Sequence, residues 1–340
     1  MAVVLGPFKL DHPFILAPMA GITNSPFRRL MRGLNSSMVV SELVSANGIE
    51  YGGPKTLELL RFKDDERTVG LQIFGEVPEF LVKACQHVER LGADFVDLNL
   101  GCPVPKVVKK GAGSAMCRNP SELGKTLKMM VESVKIPVTV KIRTGWDEST
   151  KNALAVVEAA ADAGVRWVAI HGRTRAQGYS GLADWDFIGD VKAKSPLPII
   201  GNGDITTPEV AVQKMKTYGV DAVMIGRGAL RNPFIFEQAH ALWEGRSFTK
   251  PEPQRYVDLM DRQRAFLSED YNERSAVIHV RKFLAWYSAG FPGSAEFRKK
   301  VFSEIQPEEL WVEARKFFGA TASLRDYKFM AEPFLMGGHG

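Results

Sequence analysis

Cysteine is scarce in this chain of 340 residues: Cys85, Cys102 and Cys117 make an odd count with no pair at metal-ligand spacing. Neither a disulfide framework nor a zinc site is indicated, and a reducing cytoplasm is the expected compartment. Long apolar runs are missing as well; none approaches the roughly 18 residues that a membrane helix requires. The opening MAVVLGPFKLDHPF has no basic stretch followed by an apolar one, so no targeting segment is read there. No G-x-G-x-x-G follows the first apolar run and no P-loop occurs, which removes two common nucleotide-binding turns. Acids are absent from residues 102–118, which hold Lys106, Lys109, Lys110 and Arg118, whereas residues 244–340 carry 15 Lys+Arg against 14 Asp+Glu. The excess behind the net charge of +5 is therefore local, as a groove for a polyanion requires.

What is present is 45% hydrophobic and 24% charged, the mix of a soluble globular protein with ample core. Up to about residue 243, eight short apolar runs alternate with helical patterns. The runs are HPFILAPM (12–19), SMVVSEL (37–43), TVGLQIFG (68–75), DFVDLNLG (94–101), PVTVKIR (137–143), RWVAIHG (166–172), PLPIIGNG (196–203) and DAVMIGRG (221–228). They are continuous rather than alternating, so both faces are expected to be covered by helices, which means a parallel sheet. Eight βα units in residues 1–243 predict an α/β fold of the (β/α)8 TIM-barrel type; a doubly wound sheet is the rival and would more usually have five to seven strands. ALWEGRSFTKPEPQ (241–254) reads as a linker, residues 255–330 as an all-helical C-terminal domain, and the closing FLMGGHG as a tail.

In a parallel barrel, chemistry sits where the strands end. The first run ends in Ala17, Pro18 and Met19, the third carries Gln72, the fourth gives Asn99 and Cys102, and the fifth Lys141 and Arg143. The sixth gives His171 and Arg173; GNGDIT and IGRGAL, at the seventh and eighth, bring Asn202, Gly203, Asp204, Gly226 and Arg227. Paired glycine turns at those two positions fit a phosphate on backbone N–H groups, with Arg227 adding a charged contact. Lys141 stands in a run expected to be buried, and a buried ammonium needs a partner or a task. No carboxylate or second histidine stands at ligand spacing from His171, so no metal is expected. Cys102 follows Asn-Gly at a strand end and precedes Pro103, a loop position that reaches solvent or ligand. Lysines nearby would lower its pKa, leaving both nucleophile and general acid open on charge grounds.

In this order the motifs resemble the tRNA-dihydrouridine synthases, close to their bacterial B-type branch. The resemblance runs through APMAGITNSPFR (17–28), LQIFG (71–75), DLNLGCPVPKVVKKGAGSA (97–115), VKIRTGW (140–146), IHGRTRAQGYSG (170–181), GNGDI (201–205), IGRGALRNPFIF (225–236) and RKFLAWYSAGFPG (281–293). It implies an FMN across the barrel mouth, its phosphate on Asn202, Gly203, Asp204, Gly226 and Arg227. Ala17, Pro18, Met19, Gln72, Lys141 and His171 would surround the ring, and Asn99 would lie between flavin and substrate. By the same resemblance Cys102 protonates uracil C5 while hydride passes from reduced flavin to C6, and NADPH reloads the flavin. The partner implied is tRNA, with no membrane and no protein partner needed for catalysis.

The chemistry agrees with these roles. Reducing a C5=C6 bond needs a hydride, which no side chain carries, so a cofactor must supply it. A proton donor must be protonated when it acts, so the Cys102 pKa is expected not to be strongly depressed. A uracil in folded tRNA has to be flipped out at a cost of a few kcal/mol. Phosphate contacts from Lys106, Lys109, Lys110, Arg173 and Arg175, with Arg281, Lys282 and the Arg298–Lys300 cluster in the helical part, would offset it in a salt-dependent way. Two other readings stay open: an FMN barrel acting on a free small pyrimidine, which needs neither the basic loop nor a helical domain, and an RNA-binding barrel without catalysis, which needs neither Cys102 nor Lys141.

Overall fold

The computed structural model describes residues 3–303, 306–321 and 324–325. Its centre is a parallel sheet of eight strands: β1 (Phe14–Leu16), β2 (Val39–Ser45), β3 (Val69–Phe74), β4 (Phe95–Leu100), β5 (Val138–Arg143), β6 (Val168–His171), β7 (Ile199–Asn202) and β8 (Ala222–Ile225). Each arises from one of the eight apolar runs. Strands pair with their sequence neighbours from β2 to β8, and β8 then pairs with β1 through Val223 and Phe14. No ladder joins β1 to β2; the circle closes there through Leu16 N–H to the Met38 carbonyl and Ser37 N–H to the Phe14 carbonyl, both 3.0 Å. This is the (β/α)8 barrel, with a seam between its first two strands.

The outer layer consists of α1 (Ser25–Gly33), α2 (Ala46–Glu50), α3 (Pro78–Arg90), α4 (Pro120–Glu132), α5 (Ala153–Asp162), α6 (Trp185–Lys194), α7 (Pro208–Tyr218) and α8 (Ile235–Trp243). Their starts follow local chemistry: proline occupies the first turn of α1, α3, α4 and α7, and Asn24, Asn119, Asp184 and Thr207 cap α1, α4, α6 and α7 by accepting from a first-turn N–H. Beyond residue 243 the described residues form helices and no strand: α9 (Pro253–Asp270), α10 (Glu273–Tyr287), α11 (Ser294–Ser303) and α12 (Pro307–Thr321). The expected tail FLMGGHG, and residues 326–330 of the expected helical domain, lie outside the described residues.

Two apolar clusters hold this together. One fills the space between strands and outer helices and continues without a break into α9–α12; Phe27 of α1 stacks on Phe283 of α10 at 4.9 Å between ring centroids. The other fills the barrel interior at the strand N-termini, where Phe95 and Trp167 meet edge to face at 5.1 Å. A hairpin that the sequence reading did not foresee, Val3–Leu5 paired antiparallel with Phe8–Leu10, caps this end with buried Leu5 and Leu10 and sets Phe8 against both rings. Three-residue strands are too short for a periodicity to show. The apolar plug leaves only the opposite end open.

A buried ion pair stands behind the loop after β1. Arg28, 1% exposed, donates to Glu66 at 2.6 Å and to the carbonyls of Thr23 and Arg61 at 2.7 and 2.8 Å. Burial pushes the Glu66 carboxyl up while Arg28 pulls it down. Removing one partner of such a pair strands a buried charge, so Arg28→Met is expected to cost about 3–5 kcal/mol, whereas the Arg28→Met/Glu66→Leu double variant regains most of it. Urea denaturation with matched m-values measures both.

Candidate active site

The strand C-termini surround a cavity of ≈ 510 Å³. All eleven residues expected around a flavin line it: Ala17, Pro18 and Met19 after β1, Gln72 on β3, Lys141 on β5, His171 on β6, Asn202, Gly203 and Asp204 at the end of β7, and Gly226 and Arg227 after β8. So do Asn99 and Cys102. The lining also contains Arg143 and Tyr179, to which the sequence reading gave no role.

Cys102 is held by a chain of hydrogen bonds that starts in the barrel interior. Asp97, buried on β4, accepts from Thr139 at 2.6 Å and from Gln72 at 2.7 Å; the Gln72 carbonyl accepts from Asn99 at 2.8 Å; and Asn99 Oδ1 accepts the backbone N–H of Cys102 at 2.9 Å. Asn99 is thereby oriented by both of its amide ends. The far side of the loop is pinned by Ser114, whose hydroxyl donates to the Cys102 carbonyl at 2.9 Å, and by Arg143 Nε, which donates to the Gly101 carbonyl at 2.7 Å. Gly113 has φ +61°, and a Cβ there would lie 3.1 Å from the Cys102 carbonyl, so glycine is needed both for the turn and for the close approach.

The thiol is half-buried, and burial raises its pKa; a backbone hydrogen bond from Val104 and the charge of Arg143 pull the other way without reversing the shift. The thiol is undepressed because burial outweighs the one cation acting on it, and that cation is not one of the loop lysines. Lys106, Lys109 and Lys110 are exposed, and the charge that faces the sulfur is Arg143. Cys85 and Cys117 are buried thiols pushed up to about 12.

Four cations converge beneath and beside the cavity. Lys141 donates to Asn202 Oδ1 at 3.1 Å, and burial together with Arg143 brings it down to about 8, with Asp97 opposing. Arg143 is buried and donates to the carbonyls of Thr174 and Gly178 at 3.0 and 2.7 Å, tying the β6 loop to the cysteine loop. Arg227 lies 3.5 Å from Asp204, and Arg173 donates to Asp204 at 2.9 Å. His171 is held well below its usual value by burial and then by Arg143, Lys141, Arg173 and Arg227. Since Arg173 Nη1 can only donate to His171 Nε2 (3.3 Å), the neutral ring carries its proton on Nδ1. Tyr179 lies between two guanidinium groups, 5.5 Å from Arg143 and 5.1 Å from Arg227.

One expected tRNA contact needs correction. Arg173 is 2% exposed and its donors go to Ser180, Gly181 and Asp204, so it braces the β6 and β7 loops instead of meeting solvent phosphate. Lys282 donates to the Gly21 carbonyl, in the loop after β1. Arg175 and Arg118 lie over Trp146 at 4.5 and 4.8 Å beside the basic loop, and Arg281 is half-buried with its Nε unpartnered among the described residues. Side chains expected around a phosphate are also engaged internally: Asn202 bridges Lys141 and the Met224 carbonyl (2.8 Å), and Asp204 accepts from the Ala183 N–H. Arg143 and Asp97 stood at legible strand positions; nothing in sequence marked Tyr179 apart from other loop aromatics. Among the described residues no group of three His, Cys, Asp or Glu side chains is placed to hold a metal, and no helix is long and apolar enough to cross a membrane.

Fold and site together define an enzyme of the TIM-barrel kind, with a thiol and a cluster of cations at one mouth. The family model described as dihydrouridine synthase matches residues 15–321, and the chain belongs to that family. Relatives include a protein named tRNA-dihydrouridine synthase B from Pseudomonas aeruginosa, 39% identical over 94% of this chain and 96% of its own, and a probable tRNA-dihydrouridine synthase from Rickettsia conorii, 38% identical over 88% and 91%. Among solved structures, histamine dehydrogenase from Rhizobium sp. 4-9 superposes with a TM-score of 0.56 at 13% identity, covering 78% of this chain and 50% of that one. The 6-hydroxypseudooxynicotine amine oxidase of Pseudomonas geniculata gives 0.55 at 17%, covering 77% and 52%. The chain thus spans about half of each of these structures, and that likeness concerns the fold.

Lys141 titrates before the thiol does. It is protonated below about 8 and neutral above, while Cys102 is raised from an already higher value. Turnover is therefore expected to fall as pH rises through about 8, and Lys141→Arg is expected to move that limb upward. A pH–rate profile whose alkaline limb is unchanged in Lys141→Arg would assign the limb elsewhere.

Proposed function

We propose that this protein reduces the C5=C6 bond of a uridine in tRNA to 5,6-dihydrouridine, using FMN in the barrel-mouth cavity and Cys102 as proton donor. The observation that carries this reading is a half-buried thiol, its pKa raised by burial, opening onto the same cavity as Lys141, Arg143 and Arg227 in a member of the dihydrouridine synthase family.

The residues fit FMN. The cavity lies within the 300–1,000 Å³ usual for such ligands. Gly226 leaves a slot that a Cβ would narrow to 3.5 Å from Met19 Sδ and 3.7 Å from Ala17 Cβ, and the cationic lining suits an anionic cofactor. Backbone groups of Gly203, Gly226 and Arg227 with the Arg227 guanidinium would hold the phosphate, and Ala17, Pro18, Met19, Gln72, Lys141 and His171 would enclose the ring. When bound, FMN supplies hydride for uracil C6 and is reloaded by NADPH.

The chain does the rest. Asn99, fixed at both amide ends, orients the base. Cys102 gives its Sγ proton to C5, and Arg143, the cation that acts on the sulfur, lowers the cost of the thiolate left behind. Lys141 keeps a positive charge at the cavity floor, and neutral His171 adds a hydrogen-bonding edge without further charge. Residues 1–243 would form the catalytic barrel and residues 255–330 a tRNA-binding domain. Lys106, Lys109, Lys110, Arg175 and Arg281 would meet RNA phosphates; no carboxylate among the described residues pairs with the three lysines. Free cysteines and a tRNA substrate support a cytoplasmic location.

Cys102→Ala is expected to retain FMN and to lose dihydrouridine formation by about 10²–10⁴-fold, the contribution of a positioned proton donor. Nucleoside mass spectrometry of treated tRNA measures it, and near-wild-type turnover would remove the thiol from this role. Neutralising Lys106, Lys109 and Lys110 is expected to flatten the log–log salt dependence of tRNA binding by about 0.7–0.9 for each phosphate that no longer meets a lysine. Filter binding over a salt series reads the slope; oxidation of reduced flavin by free uridine or orotate as fast as by tRNA would favour the small-pyrimidine reading.

A further inference from the structure

The loop that follows β1 supplies Pro18, Met19 and Ala20 to the cavity wall. Its turn is closed on itself: the N–H groups of Ile22 and Thr23 donate to the Met19 carbonyl at 3.1 and 3.0 Å, and Thr23 Oγ1 accepts from Met19 N–H at 3.1 Å. Those bonds leave the apex at Gly21, whose φ of +70° turns its N–H and carbonyl apart. Both are taken by side chains from other elements. The Gly21 N–H donates to the carboxylate of Glu42, on β2 across the barrel seam, and its carbonyl accepts from the ammonium of Lys282, on α10. Glu42 faces this way because β2 bulges: the register slips between Val40 and Leu43, and Ser41 Oγ takes the Gln72 N–H at 2.9 Å.

Both clamping groups are costly to place. Burial raises the Glu42 carboxyl and lowers the Lys282 ammonium, and each counters the other's shift through its charge. A surface lysine serving only as an RNA contact would have no need of that environment. Neighbouring contacts repeat the attachment: Asn24 Nδ2 donates to Tyr271 Oη at 3.3 Å, and Arg29 of α1 pairs with Glu269 of α9 at 2.8 Å.

We propose that Lys282 and Glu42 are positioning residues for the cofactor: together they clamp the Gly21 peptide, and through it they set the Pro18–Ala20 wall against the bound flavin, so that the helical region completes the cofactor site. The proposal rests on the reading that FMN occupies this cavity. It gives Lys282 a task different from the phosphate contact that its sequence context suggests. It also makes FMN affinity depend on a residue more than 250 positions away from the loop it holds.

The test uses the full chain stripped of FMN and titrated with FMN, followed by flavin fluorescence and the absorption spectrum, alongside tRNA binding over a salt series. Lys282→Met is expected to weaken FMN about tenfold and to alter the flavin band shape, because a wall no longer preorganised must be ordered on binding. Its tRNA salt slope is expected to equal that of the wild type. Lys282→Arg is expected to restore FMN affinity. Glu42→Gln keeps an acceptor for the Gly21 N–H but loses the charge, and a partial loss is expected; it serves as the second variant if Lys282→Met does not fold by circular dichroism. FMN affinity within twofold of wild type in the folded variants would overturn the proposal, as would a loss confined to tRNA affinity with a flatter salt slope. A wild-type chain that binds no FMN would refute the cofactor reading itself, which keeps the two failures apart.

Discussion

An acid that must stay protonated in a field of cations is the constraint around which this site is built. Arg143 favours a thiolate, yet burial raises the Cys102 pKa, because its loop holds the sulfur half-buried while the lysines of the same loop point to solvent. Burial and charge act in opposition on one atom, and the geometry decides between them. The same low-polarity surroundings act on the cations, bringing Lys141 down to about 8 and keeping His171 neutral. Carboxylates are present in small number and each is assigned: Asp97 orients the amide chain and Asp204 braces two loops.

The hydrogen-bond chain from Asp97 through Gln72 and Asn99 to Cys102 crosses from β4 to β3 and back. It joins residues that would enclose the cofactor to the residue that would donate the proton, so one rigid unit sets the distance between the two halves of the reaction. Networks of this kind are costly when partly satisfied and specifying when complete. Here both ends of the Asn99 and Gln72 amides are in use, which removes the ambiguity of which way each points.

Much of this was legible in the sequence because parallel strands that are buried on both faces announce themselves as continuous apolar runs. All eight appeared, and the polar residues named at the ends of the third to eighth runs then fell at one mouth by geometry alone. Legibility failed where structure depends on a partner that no local pattern reveals. The three-residue hairpin strands have no periodicity, and Tyr179 is one aromatic in a loop until two guanidinium groups are seen beside it. Arg173 was read as a phosphate contact because basic residues usually face solvent; its carbonyl partners lie further along its own loop and its carboxylate partner, Asp204, comes from the end of β7.

The plugged base of the barrel bears on how the chain reaches its native state. Phe14 of the first strand has its partner in Val223 of the last, so the ladder cannot be completed until the final βα unit has formed. The hairpin ahead of β1 seals the interior in which Phe95 and Trp167 meet, so the seal rests on a ring closed by its first and last strands. Ring closure between distant segments carries a large entropic toll that slows assembly. Closing the ring and sealing its base thus draw on the same long-range pairing.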